Sequence, residues 1–190
     1  MTIKKQFFIF FALVIAAIQA SHAAILVEPV VGFTLANKFE FNETSEMESG
    51  EIKGNGFAYG GRIGYQNMGF QLGLDYLHSA VDVDEKDVKS DVETSEWAAF
   101  AGFRFPILLR FYAGYIFSGT GEYKLESGSA DLNNGTGYKV GVGWTLFPFL
   151  DLNLEYKKVN YDEFKAGGDK SKADIDNSSY LLSVSLPFTF

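Results

Sequence analysis

The sequence predicts an all-β protein, an eight-stranded antiparallel up-and-down transmembrane β-barrel. Three observations support this fold class. Polar and apolar residues alternate with a period of two along most of the chain, aromatic residues make up 16% of the sequence, and the connections between the alternating segments are in turn short and long. A period of two places alternate side chains on opposite faces of a strand. Short turns at one end and long loops at the other are typical of outer-membrane barrels.

The first 23 residues have the layout of a secretory signal peptide. Lys4 and Lys5 supply positive charge, residues 7–18 carry no charged or polar side chain, and Ser21 and Ala23 offer the small residues of a cleavage site. This apolar run is too short to cross about 30 Å of hydrocarbon as a helix. We therefore expect export through the periplasm, removal of residues 1–23 and an outer-membrane barrel domain of residues 24–190.

Eight segments of the mature chain are predicted to be strands of the length that a tilted membrane strand requires. They are Ile25–Leu35, Gly56–Gln66, Gly69–Ser79, Glu96–Phe105, Leu109–Ser118, Gly137–Phe147, Asp151–Asn160 and Ser179–Phe190. The tight turns between them are 67–68, 106–108 and 148–150, and the long polar loops are 36–55, 80–95, 119–136 and 161–178.

The apolar face of each predicted strand is expected to point outward. Nearly all aromatic residues of the strands lie on that face, and Phe100 and Tyr112 are the exceptions. An eight-stranded barrel has room inside for ordinary side chains only, so this many rings must face lipid. They concentrate towards the two ends of the strands, as in the interfacial girdles of membrane barrels.

The final strand carries the most specific local pattern. Its outward residues are Tyr180, Leu182, Val184, Leu186, Phe188 and the terminal Phe190. With this ending and its eight alternating segments, the chain resembles the small outer-membrane barrels of Gram-negative bacteria, the OmpA/OmpX type. The resemblance implies an integral protein of the bacterial outer membrane and a terminal strand read by the barrel-assembly machinery. It also implies membrane lipid and lipopolysaccharide as partners.

Charged residues on the inward faces are predicted to form a network of ion pairs in the lumen. They are Glu28, Arg62, Asp75, Arg104, Arg110, Lys139, Asp151, Glu155 and Lys157. The acids and bases nearly cancel, so a solvated lumen held by mutual ion pairs is the simplest interpretation. A gate whose pairs rearrange to admit water or ions is the alternative. Arg104 and Arg110 should face each other across a three-residue turn, and we expect Glu28 to approach one of them to offset their repulsion.

The second hairpin is predicted to close through a two-residue turn at Asn67-Met68. That register sets Tyr65 opposite Phe70 and Arg62 opposite Gly73. Arg62 and Asp75 would then be diagonal neighbours on the inward face.

The sequence argues against catalysis. It contains no cysteine, and the neighbouring residues His78 and Ser79 must point to opposite faces of a strand. A nucleophile and its base must lie within hydrogen-bond reach, so this pair does not predict an active site.

Metal, cofactor and nucleic-acid binding are not expected either. The residues Asp82, Asp84, Glu85 and Asp87 form an acidic cluster of the kind that can bind Ca²⁺ or Mg²⁺. Their spacing is not that of an EF-hand, so a solvated acidic loop is the preferred interpretation. A net charge of -8 argues against nucleic acid as a partner.

The predicted function is therefore non-catalytic. We expect a structural or surface-interaction protein with long acidic loops outside the cell, although the sequence does not identify their ligand. A narrow channel for small molecules is the main alternative, and a lipid A-modifying enzyme is the third.

Overall fold

The computed structural model describes residues 24–41, 50–85, 88–125, 128–166 and 169–190. Its strands are β1 (Ala24–Phe41), β2 (Gly50–Asn67), β3 (Phe70–Glu85), β4 (Val88–Arg104), β5 (Leu109–Leu125), β6 (Gly128–Phe147), β7 (Leu150–Ala166), β8 (Asp169–Ser185) and β9 (Phe188–Thr189). The predicted signal peptide lies outside the described residues and stays a prediction. Within the described residues, no helix has the length and apolarity needed to cross a membrane.

The strands close into a barrel. Each of β1 to β7 pairs antiparallel with the strand that follows it, and β1 also pairs with β8 and β9. The short strand β9 continues the course of β8 after a break at Leu186-Pro187, where the missing N–H of proline interrupts the ladder. The predicted fold class, an eight-stranded antiparallel barrel, is confirmed.

The strands are longer than predicted, and much of each predicted loop is strand. β1 continues to Phe41, β3 to Glu85, β5 to Leu125 and β7 to Ala166. The alternation persists in these segments, but the faces are exchanged, because apolar residues now point inward. Because the sequence prediction depends on outward apolar residues, it assigns these segments to loops. Backbone irregularities accompany the exchange of faces, with left-handed φ values of 49° at Ala36 and 57° at Asn134.

The predicted turn of the β2–β3 hairpin is wrong by one residue, which shifts the strand register by two residues. The turn is Met68-Gly69, both with left-handed φ (48° and 89°), as a two-residue primed turn requires. Asn67 therefore pairs with Phe70, and Arg62 lies directly opposite Asp75. A shift of two residues preserves the faces, so both charged side chains point inward as predicted.

The outer surface carries two bands of aromatic rings. Near the loop end, Tyr76 contacts Trp97 with ring centroids 4.9 Å apart, and Tyr156 contacts Tyr180 at 5.2 Å. Near the turn end, Phe103 lies 4.7 Å from Phe70. These bands agree with the predicted girdles.

Among the residues that the structure describes, four aromatic side chains are buried inside the barrel. Phe100 and Tyr112 point inward as predicted. Phe39 and Tyr161 are buried as well, in segments that the sequence had suggested to be loops.

The candidate functional site: lumen and extracellular half

The lumen is filled with charged side chains in stacked layers, which begin at the turn end. Here Arg104 donates to both carboxylate oxygens of Asp151, at 3.1 and 2.6 Å. It also donates to the hydroxyl of Thr145 at 2.6 Å. Arg104 lies opposite Arg110, as predicted, but its counter-ion is Asp151.

The next layer contains the predicted partner of Arg110. The two terminal nitrogens of Arg110 donate to the two carboxylate oxygens of Glu28 at 2.7 and 2.8 Å. The Glu28 and Arg110 side chains are 0% and 1% exposed. Arg110 also donates to Asn153 at 2.7 Å. The expected approach of Glu28 to one of the two arginines is confirmed, and its geometry is bidentate.

Arg62 lies at the centre of the network. Its guanidinium is paired with Asp75 at 2.6 Å, Glu155 at 3.1 Å and Glu28 at 3.3 Å. It also lies 4.3 Å from the ring centroid of Tyr112, which adds a cation–π contact. The second base of this layer is Lys139, which also pairs with Asp75 and Glu155.

Lys139 completes the central layer. Its amino group is 2.7 Å from Asp75 and 3.4 Å from Glu155. The glycines of β6 give these long side chains room. A Cβ atom added to Gly141 would lie 2.3 Å from the Tyr112 ring, and one added to Gly143 would lie 2.6 Å from Asn153.

The top charged layer contains an acid that the prediction missed. Lys157 is paired with Glu96 at 2.6 Å, and both are buried. Glu96 shares its strand face with the inward residue Phe100, so parity alone identifies it. With Glu96 included, the described lumen network contains five acids and five bases, and its formal charge is zero.

Above this layer the interior becomes apolar. A buried cluster, here called the inner apolar cluster, is formed by Phe39, Val81, Val92, Ala98, Ile116, Leu132, Val159, Tyr161 and Ile175. On β7 the inward residues change from Glu155 and Lys157 to Val159 and Tyr161, while the outward residues change from Leu154 and Tyr156 to Lys158 and Asn160.

The outer surface around this cluster is polar and rich in carboxylates. We call this surface the acidic collar and define it by Asp82, Asp91, Glu93, Glu122, Asp131, Asp162, Asp174 and Asp176. Some of these charges are paired, as in the 2.9 Å contact between Lys158 and Asp176. Above the loop-end girdle, the strands have a polar exterior and an apolar interior, as in a protein surrounded by water. Below the girdle, the same strands have an apolar exterior and a charged interior, as in a protein surrounded by lipid.

A shallow cleft of about 260 Å³ opens on the collar between β3 and β6. In it, His78 Nδ1 lies 3.0 Å from Ser95 Oγ. Ser79 is buried on the lumen side, so His78 and Ser79 do diverge as predicted. The serine beside His78 comes instead from the neighbouring strand, through the pairing of His78 with Ser95.

The predicted acidic cluster is described only in part. Asp82 is exposed on β3, the side chains of Asp84 and Glu85 are outside the described set, and Asp87 lies outside the described residues. In the described part of the chain, no three His, Cys, Asp or Glu residues are placed to bind a metal ion.

The proposed assembly signal forms an outward apolar row on β8 and β9. Its members Tyr180, Leu182, Val184, Leu186, Phe188 and Phe190 are all exposed. The end of the chain is fixed to β1 by reciprocal backbone hydrogen bonds between Phe190 and Ile25, at 2.9 and 3.0 Å. Recognition of this row during assembly stays a prediction.

The lipid-facing girdles around a closed, charged lumen define the class of integral outer-membrane β-barrels. A family model described as the outer membrane protein beta-barrel domain matches residues 8–188. The chain therefore belongs to this family, whose members are proteins of the bacterial outer membrane.

The solved structures that are similar in fold include the following two. Neisserial surface protein A has a TM-score of 0.59 at 16% identity, covering 88% of this chain and 100% of the other. The attachment invasion locus protein Ail of Yersinia pestis, in complex with the heparin analogue sucrose octasulfate, has a TM-score of 0.53 at 14% identity, covering 86% and 99%. A search of curated proteins found no match.

Proposed function

We propose that this protein is a non-catalytic surface-interaction protein that binds its partner outside the cell. The observation that carries this proposal is the continuation of the barrel beyond the girdle as a water-adapted structure. The inner apolar cluster gives that extension a core of its own, and the acidic collar surrounds it. Such an extension holds side chains in fixed positions above the membrane, as a binding surface requires.

The collar favours a basic partner. Glu93, Glu122 and Asp131 line one side of it around the cleft, and carboxylates on a surface attract positive charge and repel polyanions. The Ail structure contains a sulfated heparin analogue, a ligand class that this collar disfavours. We propose a polypeptide with a basic surface as the partner, alongside membrane lipid and lipopolysaccharide. We further propose delivery through the periplasm to the barrel-assembly machinery.

Binding to immobilised ligands tests the surface proposal. The protein in lipid nanodiscs would be passed over a basic polypeptide and over heparin at physiological salt. We expect retention on the basic ligand, and loss of it in the variant Glu93→Gln, Glu122→Gln, Asp131→Asn. A control variant, Glu96→Gln with Lys157→Met, removes a lumen carboxylate together with its buried partner and should bind as well as wild type. Equal binding of wild type and the collar variant contradicts the proposal.

The channel alternative has less support. The ionic layers fill the lumen below the girdle, and the inner apolar cluster fills it above. Passage of an ion requires displacement of both. Planar-bilayer recordings test this directly, because steady single-channel conductance of the wild-type protein would favour the channel over a closed barrel.

One observation supports the enzyme alternative. The contact between His78 and Ser95 has the distance of a base and a nucleophile, and it lies just above the lipid-facing surface. If this pair modifies lipid A, the lipid A of cells carrying the protein should differ in mass from that of cells carrying Ser95→Ala. Identical mass spectra would leave the pair a structural hydrogen bond of the collar.

A further inference from the structure

We infer that the three short turns of the barrel lie within the inner leaflet of the outer membrane, where phospholipid covers them. The tips of these turns carry large apolar side chains. Met68, Ile107 and Phe149 are 83%, 69% and 58% exposed. Soluble surfaces rarely present large contiguous apolar patches, and each barrel turn here does so at its most protruding point.

The rim around the turns is free of charge on its outer side. Segments 65–72, 105–109, 146–150 and 186–190 contain no Asp, Glu, Lys or Arg. The charged residues that adjoin these segments point into the barrel, where the Arg104, Arg110 and Asp151 side chains are 19%, 1% and 0% exposed. This rim contrasts with the acidic collar at the opposite end. A turn that faced water would not require an uncharged exterior.

The apolar surface of the strands runs without a break onto the turns. The rings of Phe103 and Phe105 are 4.7 Å apart, and those of Phe105 and Phe111 are 5.9 Å apart. At the next turn, Phe147 and Phe149 stack at 6.3 Å. Since the strand surface faces lipid, the same solvent covers the turns.

The turns extend the apolar surface on strands whose own outward apolar run is short. A strand tilted by about 40° rises about 2.6 Å per residue along the membrane normal. On β7 the outward apolar residues run from Leu152 to Tyr156, which spans about 10 Å before Lys158 begins the polar surface. The apolar band of such barrels is about 25 Å tall. Counting from Phe149 extends the β7 surface to about 18 Å, whereas the outward run of β1 from Ile25 to Leu35 spans about 26 Å by itself.

The absence of native cysteine makes the test direct. The chain contains no cysteine, so Ile107→Cys and Met68→Cys each give a single labelling site. An environment-sensitive dye would be attached to each variant in nanodiscs with one copy per disc, where both membrane faces are open to solution. Aqueous iodide and phospholipid with a nitroxide near the headgroup are the two quenchers. Leu154→Cys is the lipid control and Glu122→Cys is the water control.

We expect the two turn labels to be quenched by the nitroxide lipid and to be at least threefold less sensitive to iodide than the Glu122→Cys label. Each variant must first show the β-sheet circular dichroism of wild type, and two turn positions guard against one that fails to fold. Iodide quenching equal to that at Glu122→Cys overturns the inference. Shielding of the turns by a second copy at high density, or by a periplasmic protein in cells, would not rescue the inference. In that case protein, and not phospholipid, would cover the turns.

Discussion

Glu28 on β1 and Arg110 on β5 bridge the barrel with two parallel hydrogen bonds, 2.7 and 2.8 Å long. These strands are not neighbours in the sheet, so the pair joins opposite walls. A second arginine, Arg62, lies 3.3 Å from the same carboxylate. Glu28 thus offsets two buried cations.

Replacing Glu28 should destabilise the barrel strongly. Glu28→Gln leaves Arg110 without its carboxylate partner in a buried site, which costs about 3 kcal/mol or more. The second change Arg110→Met, in the same chain, should recover part of the loss because it removes the unpaired charge. Urea unfolding of the folded protein in lipid vesicles measures both. Strictly additive effects would show that the two residues do not act as a pair.

Gly141 should not tolerate a methyl group. Gly141→Ala places a Cβ atom against the Tyr112 ring, which is held between Arg62 and Arg110. Overpacking of this kind costs about 1–3 kcal/mol. Gly61→Ala is the matched control, because its added Cβ would meet no atom closer than 3.3 Å. In the same unfolding measurement, the free energy of unfolding should be clearly lower for Gly141→Ala than for Gly61→Ala. The opposite order would refute the packing argument.

Two positions on one strand should separate lipid from water. Val142 and Thr136 both point outward on β6, below and above the loop-end girdle residue Tyr138. Val142→Arg should cost about 2–4 kcal/mol in lipid. Thr136→Arg should change stability by no more than about 0.5 kcal/mol. Equal costs at the two sites would contradict the proposed height of the membrane surface.

The inner apolar cluster should be sensitive to charge. Val159 is fully buried in it, and Val159→Asp places a carboxylate among apolar side chains at a cost of about 3 kcal/mol or more. Because the cluster lies above the ionic layers, we expect the extracellular strand ends to become susceptible to added protease. The exposed outward residue Asp162, changed to Ala, is the control and should leave the proteolysis pattern unchanged.

Much of the membrane part could be predicted from the sequence. Along its whole length, the side chains alternate with a period of two and the apolar face points to lipid. Parity predicts the faces of Asp75, Arg62 and nearly every ring, and the predicted turns 106–108 and 148–150 overlap the observed ones. The exact pairing at Met68-Gly69 depends on two left-handed residues, and a non-glycine residue in that conformation gives little signal in a sequence.

The half of the barrel beyond the loop-end girdle is harder to predict from the sequence, for a physical reason. There the strands pass from lipid into water, so the apolar face moves from outside to inside, and bulges such as that at Ala36 shift the parity as well. Polar outward residues such as Asp174 and Asp176 then look like loop composition. The cross-strand contact of His78 with Ser95 depends on register, which local patterns do not contain.

The long hairpins also bear on how this surface can change over time and be recognised. Strand pairing continues to Glu85 with Val88, Leu125 with Gly128 and Ala166 with Asp169, so most of what is described beyond the loop-end girdle is pleated sheet. Only every second residue of such a sheet is available to an antibody or a phage, and its neighbours are held in the core. Variation should accumulate at alternate positions, and antibodies against this surface should recognise the folded protein but not its peptides.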